Sequence, residues 1–210
     1  MKFVRESSTL VIAGSWNPAI LKPTWVAQVA MNPPLADPFN VRVELAMFPS
    51  SGVQRFSFHG VSYSVSPQYL VFFLEDAAAW PATAPVARRI LGTLQHTPIT
   101  GLGFNFEYQV EALHPSFLER FPVVASLDEL LGADDAVVSR TWGNKIQHGT
   151  ALISFTCDLE GQVGKILINY HEPIAAADNA AAFLTEEVYA EVKTLADRLA
   201  QHLSEENLGE

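Results

Sequence analysis

Few residues in this chain have the types and spacing that chemistry requires. Histidines stand at 59, 96, 114, 148, 171 and 202. No two lie at the i, i+4 spacing that sets a pair of imidazoles on one helix face, and no HExxH or cysteine–histidine pattern accompanies them, so no metal is expected. Cys157 is the only cysteine and falls in an apolar run. A free thiol there packs as a small hydrophobe rather than serving as a nucleophile. The chain has no G-x-S-x-G elbow and no P-loop. Gly101-Leu102-Gly103 begins like a dinucleotide-binding turn, but that fingerprint needs a helix next, and the residues from Asn105 onward continue as a strand. Two small residues at the start of a strand instead suit the close approach of another backbone or an aromatic ring. No cofactor is expected, and no catalytic motif is present to make the chain an enzyme.

What remains is a set of polar and aromatic candidates for binding. Asn105, Glu107, Gln109 and Glu111 fall on one side of a strand. Glu107 and Glu111 are four positions apart, roughly 13 Å at the usual strand rise, which is wider than the acid–base pairs of glycosidases. Asn144 and His148 lie in the polar stretch Asn144–Gly149, read as a loop between two strands, and loops at strand ends are where binding residues collect. Trp16 precedes Asn17-Pro18 and Trp142 precedes Gly143-Asn144, both at borders between elements. Amphipathic indoles suit clefts there, although core filling with the N–H bonded to a loop carbonyl is the favoured account. The candidate ligand-binding set is therefore Trp16, Asn105, Glu107, Trp142, Asn144 and His148.

The elements that must position these residues follow from periodicity. Ser8–Ser15 reads as a strand, and Pro23 opens a short helix, where its missing N–H costs nothing. Val41–Phe48 reads as a second strand. Arg55–Val65 is extended, but its alternation changes phase at His59-Gly60, which indicates a bulge or a tight hairpin. Tyr69–Leu74 is almost continuously apolar and is expected to be buried on both faces. A helix is expected over Thr83–Gln95, with Thr83 as N-cap and Pro85 in its first turn. Ile99–Glu111 is the clearest strand, with Leu102, Phe104, Phe106, Tyr108 and Val110 on one face. Pro115 opens another short helix, and Ser126 with Glu129 forms a capping box. Strands follow at Val137–Trp142, Ala151–Asp158 and Val163–Tyr170, and then one long helix over Asn179–His202.

These elements repeat. Both halves carry a strand, a Pro-started helix, three strands and a longer helix. Pro23-Thr24-Trp25-Val26 matches Pro115-Ser116-Phe117-Leu118, and the same offset lays Leu10 on Leu102 and Ile12 on Phe104. The expected fold is α+β: an internally duplicated β-α-β-β-β-α unit, with residues 1–97 and 98–210 as half-repeats of one globular body. Two such units can close each other's exposed sheet edge, giving a mostly antiparallel sheet of about eight strands with the long helices on one face. In predicted topology this arrangement resembles the saddle of TATA-box-binding-protein-type folds, with no shared motif. Nucleic-acid binding is what that resemblance would imply.

Charge argues against carrying that implication over. The chain has 13 Lys and Arg against 23 Asp and Glu, a formal net charge of −10, and no basic cluster beyond Arg88-Arg89. Phosphate recognition draws most of its affinity from cations, so neither nucleic acid nor an anionic membrane surface is an expected partner. No apolar run approaches the roughly 20 residues that span a bilayer. The single cysteine and the absence of a signal-peptide h-region fit a soluble, cytoplasmic protein. The leading expectation is a non-enzymatic binding or assembly module that presents a sheet face or edge to a protein partner or to a second copy. The alternative is a small-molecule-binding protein or enzyme with its site between the halves.

Overall fold

In a computed structural model the described residues are 2–36, 39–48, 51–76, 78–110, 139–160 and 163–204. The expected Pro115 helix, the Ser126–Glu129 capping box and Glu111 lie outside them. The chain is α+β. Nine strands form one sheet: β1 (Lys2–Gly14), β2 (Arg42–Phe48), β3 (Ser51–Phe58), β4 (Val61–Val65), β5 (Tyr69–Phe73), β6 (Ile99–Val110), β7 (Ser139–His148), β8 (Ala151–Glu160) and β9 (Val163–Glu172). Their order is β2-β3-β4-β5-β1-β6-β9-β8-β7, and every neighbouring pair is antiparallel. β1 and β6 lie side by side at the centre, with Leu10 opposite Phe104 and Ile12 opposite Leu102.

Alternation makes this sheet two-faced. On β6, Leu102, Phe104, Phe106 and Tyr108 are buried, and their cross-strand partners Leu10, Ile12, Ile166 and Ile168 share that burial. The helices cover this face. A single helical turn, α1 (Pro23–Trp25), runs on into a wider π turn over Val26–Ala30. α2 (Ala79–Thr93) follows β5, and α3 (Ala177–Phe183) and α4 (Glu186–Ser204) follow β9. Trp80 of α2 stacks on Tyr189 of α4 at 4.4 Å between ring centroids, and both rings rest on Phe104. α4 is pinned by charge as well. Tyr108 Oη donates to Asp197 at 2.8 Å, Asp197 pairs with Lys193, and Lys193 Nζ sits 3.9 Å from the centroid of Phe3.

Several sequence expectations need correction. The described sheet has nine strands rather than about eight, because the phase change at His59-Gly60 is a two-residue hairpin and not a bulge. His59 and Gly60 have φ of 47° and 75°, the two positive values that a twist-matched tight hairpin demands. β5 is buried on one face only. Leu70 and Phe72 point into the core, while Tyr69 is 47% exposed, since no described helix covers the other side. α2 starts at Ala79, not at Thr83. Pro81 occupies its first turn, where a missing N–H is harmless, and Pro85 lies inside the helix. The polar stretch Asn144–His148 is strand, not loop: β7 runs unbroken to His148 and turns at Gly149-Thr150. An edge strand with little covering it needs no apolar alternation, which is why its sequence reads as loop. The last helix is two helices. The break falls at Leu184-Thr185, where Thr185 Oγ1 accepts a hydrogen bond from the Val188 N–H at 3.2 Å and restarts the chain as an N-cap.

The helical turn after β1 is tied to the sheet by one buried hydrogen bond, from Tyr63 Oη to the Leu21 carbonyl at 3.0 Å. Both residues are fully buried. Tyr63→Phe keeps the ring and strands the carbonyl, so it is expected to cost about 1–2 kcal/mol. A lowered urea midpoint at unchanged slope checks this.

Candidate functional site

The face opposite the helices carries the side chains that the core does not use. The register places Phe73, Thr9, Asn105, Asn169, Ser154 and Lys145 next to one another across β5, β1, β6, β9, β8 and β7. At the centre these groups are already joined. Asn169 Nδ2 donates to Asn105 Oδ1 at 2.7 Å, and Asn105 Nδ2 donates to Thr9 Oγ1 at 2.8 Å. The amide chain crosses from the second meander to the first at the seam between β1 and β6. One step along β6, Glu107 pairs with Lys165 of β9 at 2.8 Å.

The row continues toward β2 through a second polar group. Arg42, Ser57 and Ser62 face one another on β2, β3 and β4. With Phe73, His59, Glu75 and Asp76 they line a hollow of about 280 Å³ beside the β3–β4 hairpin and the start of α2. Arg55 organises its rim. Its Nε donates to Ser62 Oγ at 2.7 Å, its guanidinium lies 4.0 Å from the Phe73 ring centroid, and it pairs with Glu75 and, at 3.8 Å, with Glu44. Ser57 and Ser62 hydroxyls are 2.7 Å apart. A guanidinium on an aromatic face with carboxylates at its edges is a rigid arrangement of donors and acceptors. It offers shape and hydrogen bonding. The hydroxyls here are bonded to Arg55 and to each other, not to an imidazole or carboxylate base as a nucleophile would be.

The six residues proposed from sequence are not gathered in one place. Asn105 and Glu107 lie on the face opposite the described helices, as the alternation implied. Trp16 is 5% exposed, with its Nε1 donating to the Ile12 carbonyl at 3.0 Å, which is core filling. Trp142 is opposite Cys157 and Asn144 is opposite Phe155 on the β7–β8 ladder. Asn144 and His148 are exposed, and Asn144 shares the face of Ile146 rather than that of Asn105. Among the described residues, no cluster of three or more His, Cys, Asp or Glu could hold a metal ion. Sequence reasoning missed Thr9, Asn169, Arg55, Ser57 and Ser62. The alternation Val61-Ser62-Tyr63-Ser64-Val65 flags Ser62 once β4 is recognised as a strand, but nothing local marks Thr9 and Asn169 as neighbours of Asn105.

Gly101 and Gly103 account for another feature of this face. A Cβ on Gly103 would stand 2.9 Å from the Tyr170 carbonyl, and one on Gly101 would strike the His171 ring. The glycines let β9 and its histidine lie close over β6, as the close-approach reading of these two small residues anticipated.

No protein-family model and no curated protein matches this chain.

A buried thiol and a half-buried phenol on the other face set an alkaline limit on the fold. Burial, reinforced by the neighbouring Asp158 charge, pushes the Cys157 thiol from 9.0 up to about 12. Burial and then the Glu172 charge push Tyr170 from 10.0 up to about 12. Each group prefers its neutral form in the fold. Its contribution is complete below the unfolded value and is lost as pH rises toward the folded value. Stability is therefore expected to fall between pH 9 and pH 12, with Cys157→Val removing the part that begins near pH 9. Native Cys157 should react with a thiol reagent only at the rate of unfolding. Chemical-denaturation curves against pH and a labelling time course check both.

Proposed function

We propose that this chain is a non-enzymatic binding module whose working surface is the sheet face opposite its described helices. The observation that carries this reading is the pre-joined polar row through Thr9, Asn105 and Asn169, flanked by the Arg55–Phe73 group and by an exposed aromatic, Tyr69. Groups fixed by their neighbours before contact lose little entropy on binding. Cations and carboxylates alternate on this face, as Arg42 with Glu44, Arg55 with Glu75 and Lys165 with Glu107. Interleaved signs suit a protein surface better than a polyanion, which supports a protein partner and argues against nucleic acid. Among the described residues no helix is long and apolar enough to cross a membrane. With a single, buried cysteine, a cytoplasmic setting fits best.

The same reading takes the chain as two copies of one unit, residues 1–97 and 98–210. Its support is the order of the sheet. β5, β4 and β3 succeed one another outward from β1 as β9, β8 and β7 do from β6, and each series is a meander returning to its central strand. β2 then has no counterpart among the described strands. Halves that fold independently, each with its edge satisfied, would count against this account.

The binding reading is tested by placing a photoreactive phenylalanine derivative at Tyr69 or Thr156 on the face opposite the described helices, and at the exposed helix positions Arg88 or Thr194 as controls. Irradiation in cells is expected to trap a defined partner from the first pair and nothing from the second. Equal labelling from both sides, or none from Tyr69 and Thr156, would remove the sheet face as the working surface.

A small-molecule reading has one observation in its favour, the 280 Å³ hollow with its Arg42, Ser57, Ser62 and Glu75 lining. This hollow lies within the first half rather than between the halves. A ligand at a hundred times its dissociation constant would stabilise the fold by about 2.7 kcal/mol. A thermal-shift panel of polar metabolites is expected to show a shift that Ser62→Val abolishes if this site is used, and no shift from any of them if it is not.

A further inference from the structure

We propose that two copies of this chain pair edge to edge through β2, antiparallel about a two-fold axis at Val43, so that one sheet runs through both. The proposal concerns the edge of the sheet and stands independently of the function proposed for its face.

The reasoning starts from strand direction. The sheet is antiparallel throughout and has an odd number of described strands, so its two edge strands, β2 and β7, run the same way. A second copy can extend the sheet antiparallel, with its helices on the same side, only by rotation about an axis normal to the sheet. That rotation brings like edge to like edge, which is the isologous contact of a two-fold dimer.

Of the two edges, β2 has the chemistry for it. Among the described residues its outer side meets no other strand, leaving a row of backbone donors and acceptors open. Val43 and Leu45 are 52% and 63% exposed, the two highest values among the described large apolar side chains. No lysine or proline interrupts Arg42–Phe48. The other edge, β7, carries Lys145, a residue type that blunts open sheet edges, and its Ile146 is 40% exposed, less than either Val43 or Leu45.

Charge also sets the register. Arg42 and Glu44 lie two residues apart on one face of β2 and are paired with each other at 2.6 Å, and the Arg42 side chain is 77% exposed. An axis at Val43 sets Arg42 opposite the partner's Glu44 and, by symmetry, Glu44 opposite the partner's Arg42. Val43 meets its own copy, and Leu45 faces the partner's Val41. An axis at Glu44 would oppose two carboxylates, and an axis at Leu45 would leave Arg42 facing the partner's Phe48. Only the Val43 register matches both the charges and the apolar stripe.

The full-length protein tests this by sedimentation across a range of concentrations, with mild oxidation of cysteine variants. A concentration-dependent dimer is expected. Arg42→Glu is expected to weaken it by about tenfold or more, because two cross-strand attractions become repulsions. The double variant R42E/E44R restores the opposite pairing and should recover most of the loss, which a merely structural disturbance of β2 would not. Val43→Cys should form an intermolecular disulfide, since directly opposite residues lie roughly 4.5–5.5 Å apart between Cα atoms, whereas Leu45→Cys should not. A protein that stays monomeric at every concentration overturns the proposal, as does a dimer insensitive to Arg42→Glu. Either result leaves partner trapping from Tyr69 and Thr156 untouched, so failure of the edge and failure of the face are told apart.

Discussion

The pairing of β1 with β6 is the interaction on which the rest of this structure depends. Every other strand reaches the core through one of these two. β5, β4, β3 and β2 extend the sheet from β1, and β9, β8 and β7 extend it from β6. The ladder joins residues about a hundred positions apart, so it forms only after a long stretch of chain has been ordered, and its reward comes late. What makes it worth forming is its face. Leu10 and Ile12 meet Phe104 and Leu102 across the seam, and the same phenylalanine supports Trp80 from α2 and Tyr189 from α4. Breaking the seam would expose both edges and also remove the floor on which the two longest helices meet.

The seam fixes the other face too. Because the side-chain period of a strand is two, committing Leu102, Phe104 and Phe106 to the core commits Gly103, Asn105 and Glu107 to the opposite side. Those positions carry small or polar residues, and the partners brought to them by register complete their hydrogen bonds. The amide row is thus a consequence of how the core is packed. Its internal bonds hold the donors in place. The ends of the sheet differ from its middle. At β2 the apolar positions have run beyond the helices and lie in solvent, so the surface that is core elsewhere becomes exposed edge.

The legible parts of the sequence were those governed by one-dimensional rules. The alternation over Ile99–Val110 located β6 and assigned each side chain to a face. Pro23 located the first helical turn. The phase change at His59-Gly60 narrowed that region to a bulge or a hairpin, and the left-handed backbone there is the hairpin. Where local rules misled, a neighbour had overridden them. Tyr69–Phe73 is apolar enough for a doubly covered strand, yet the described helices cover one side only. Asn144–His148 has the polarity of a loop, because a strand at the border of a sheet has few groups to pack against. Leu184-Thr185 breaks a stripe that continues in phase on either side, and only the bond from the Val188 N–H to the Thr185 hydroxyl shows why.

The sequence alone determined the class of the fold, an acidic α+β chain built on a two-faced antiparallel sheet, because hydrophobic period is a local property carried by adjacent residues. It also determined which residues of β6 would be polar and which buried. Tertiary structure decided which of those polar residues would have company. Asn105 gained Thr9 and Asn169, and Arg55 gained Phe73, Ser62 and Glu75, through strand order and register, while Trp16 was drawn into the core and Asn144 was left on the other face. Register depends on the packing of the whole sheet, and no short window of sequence contains that information.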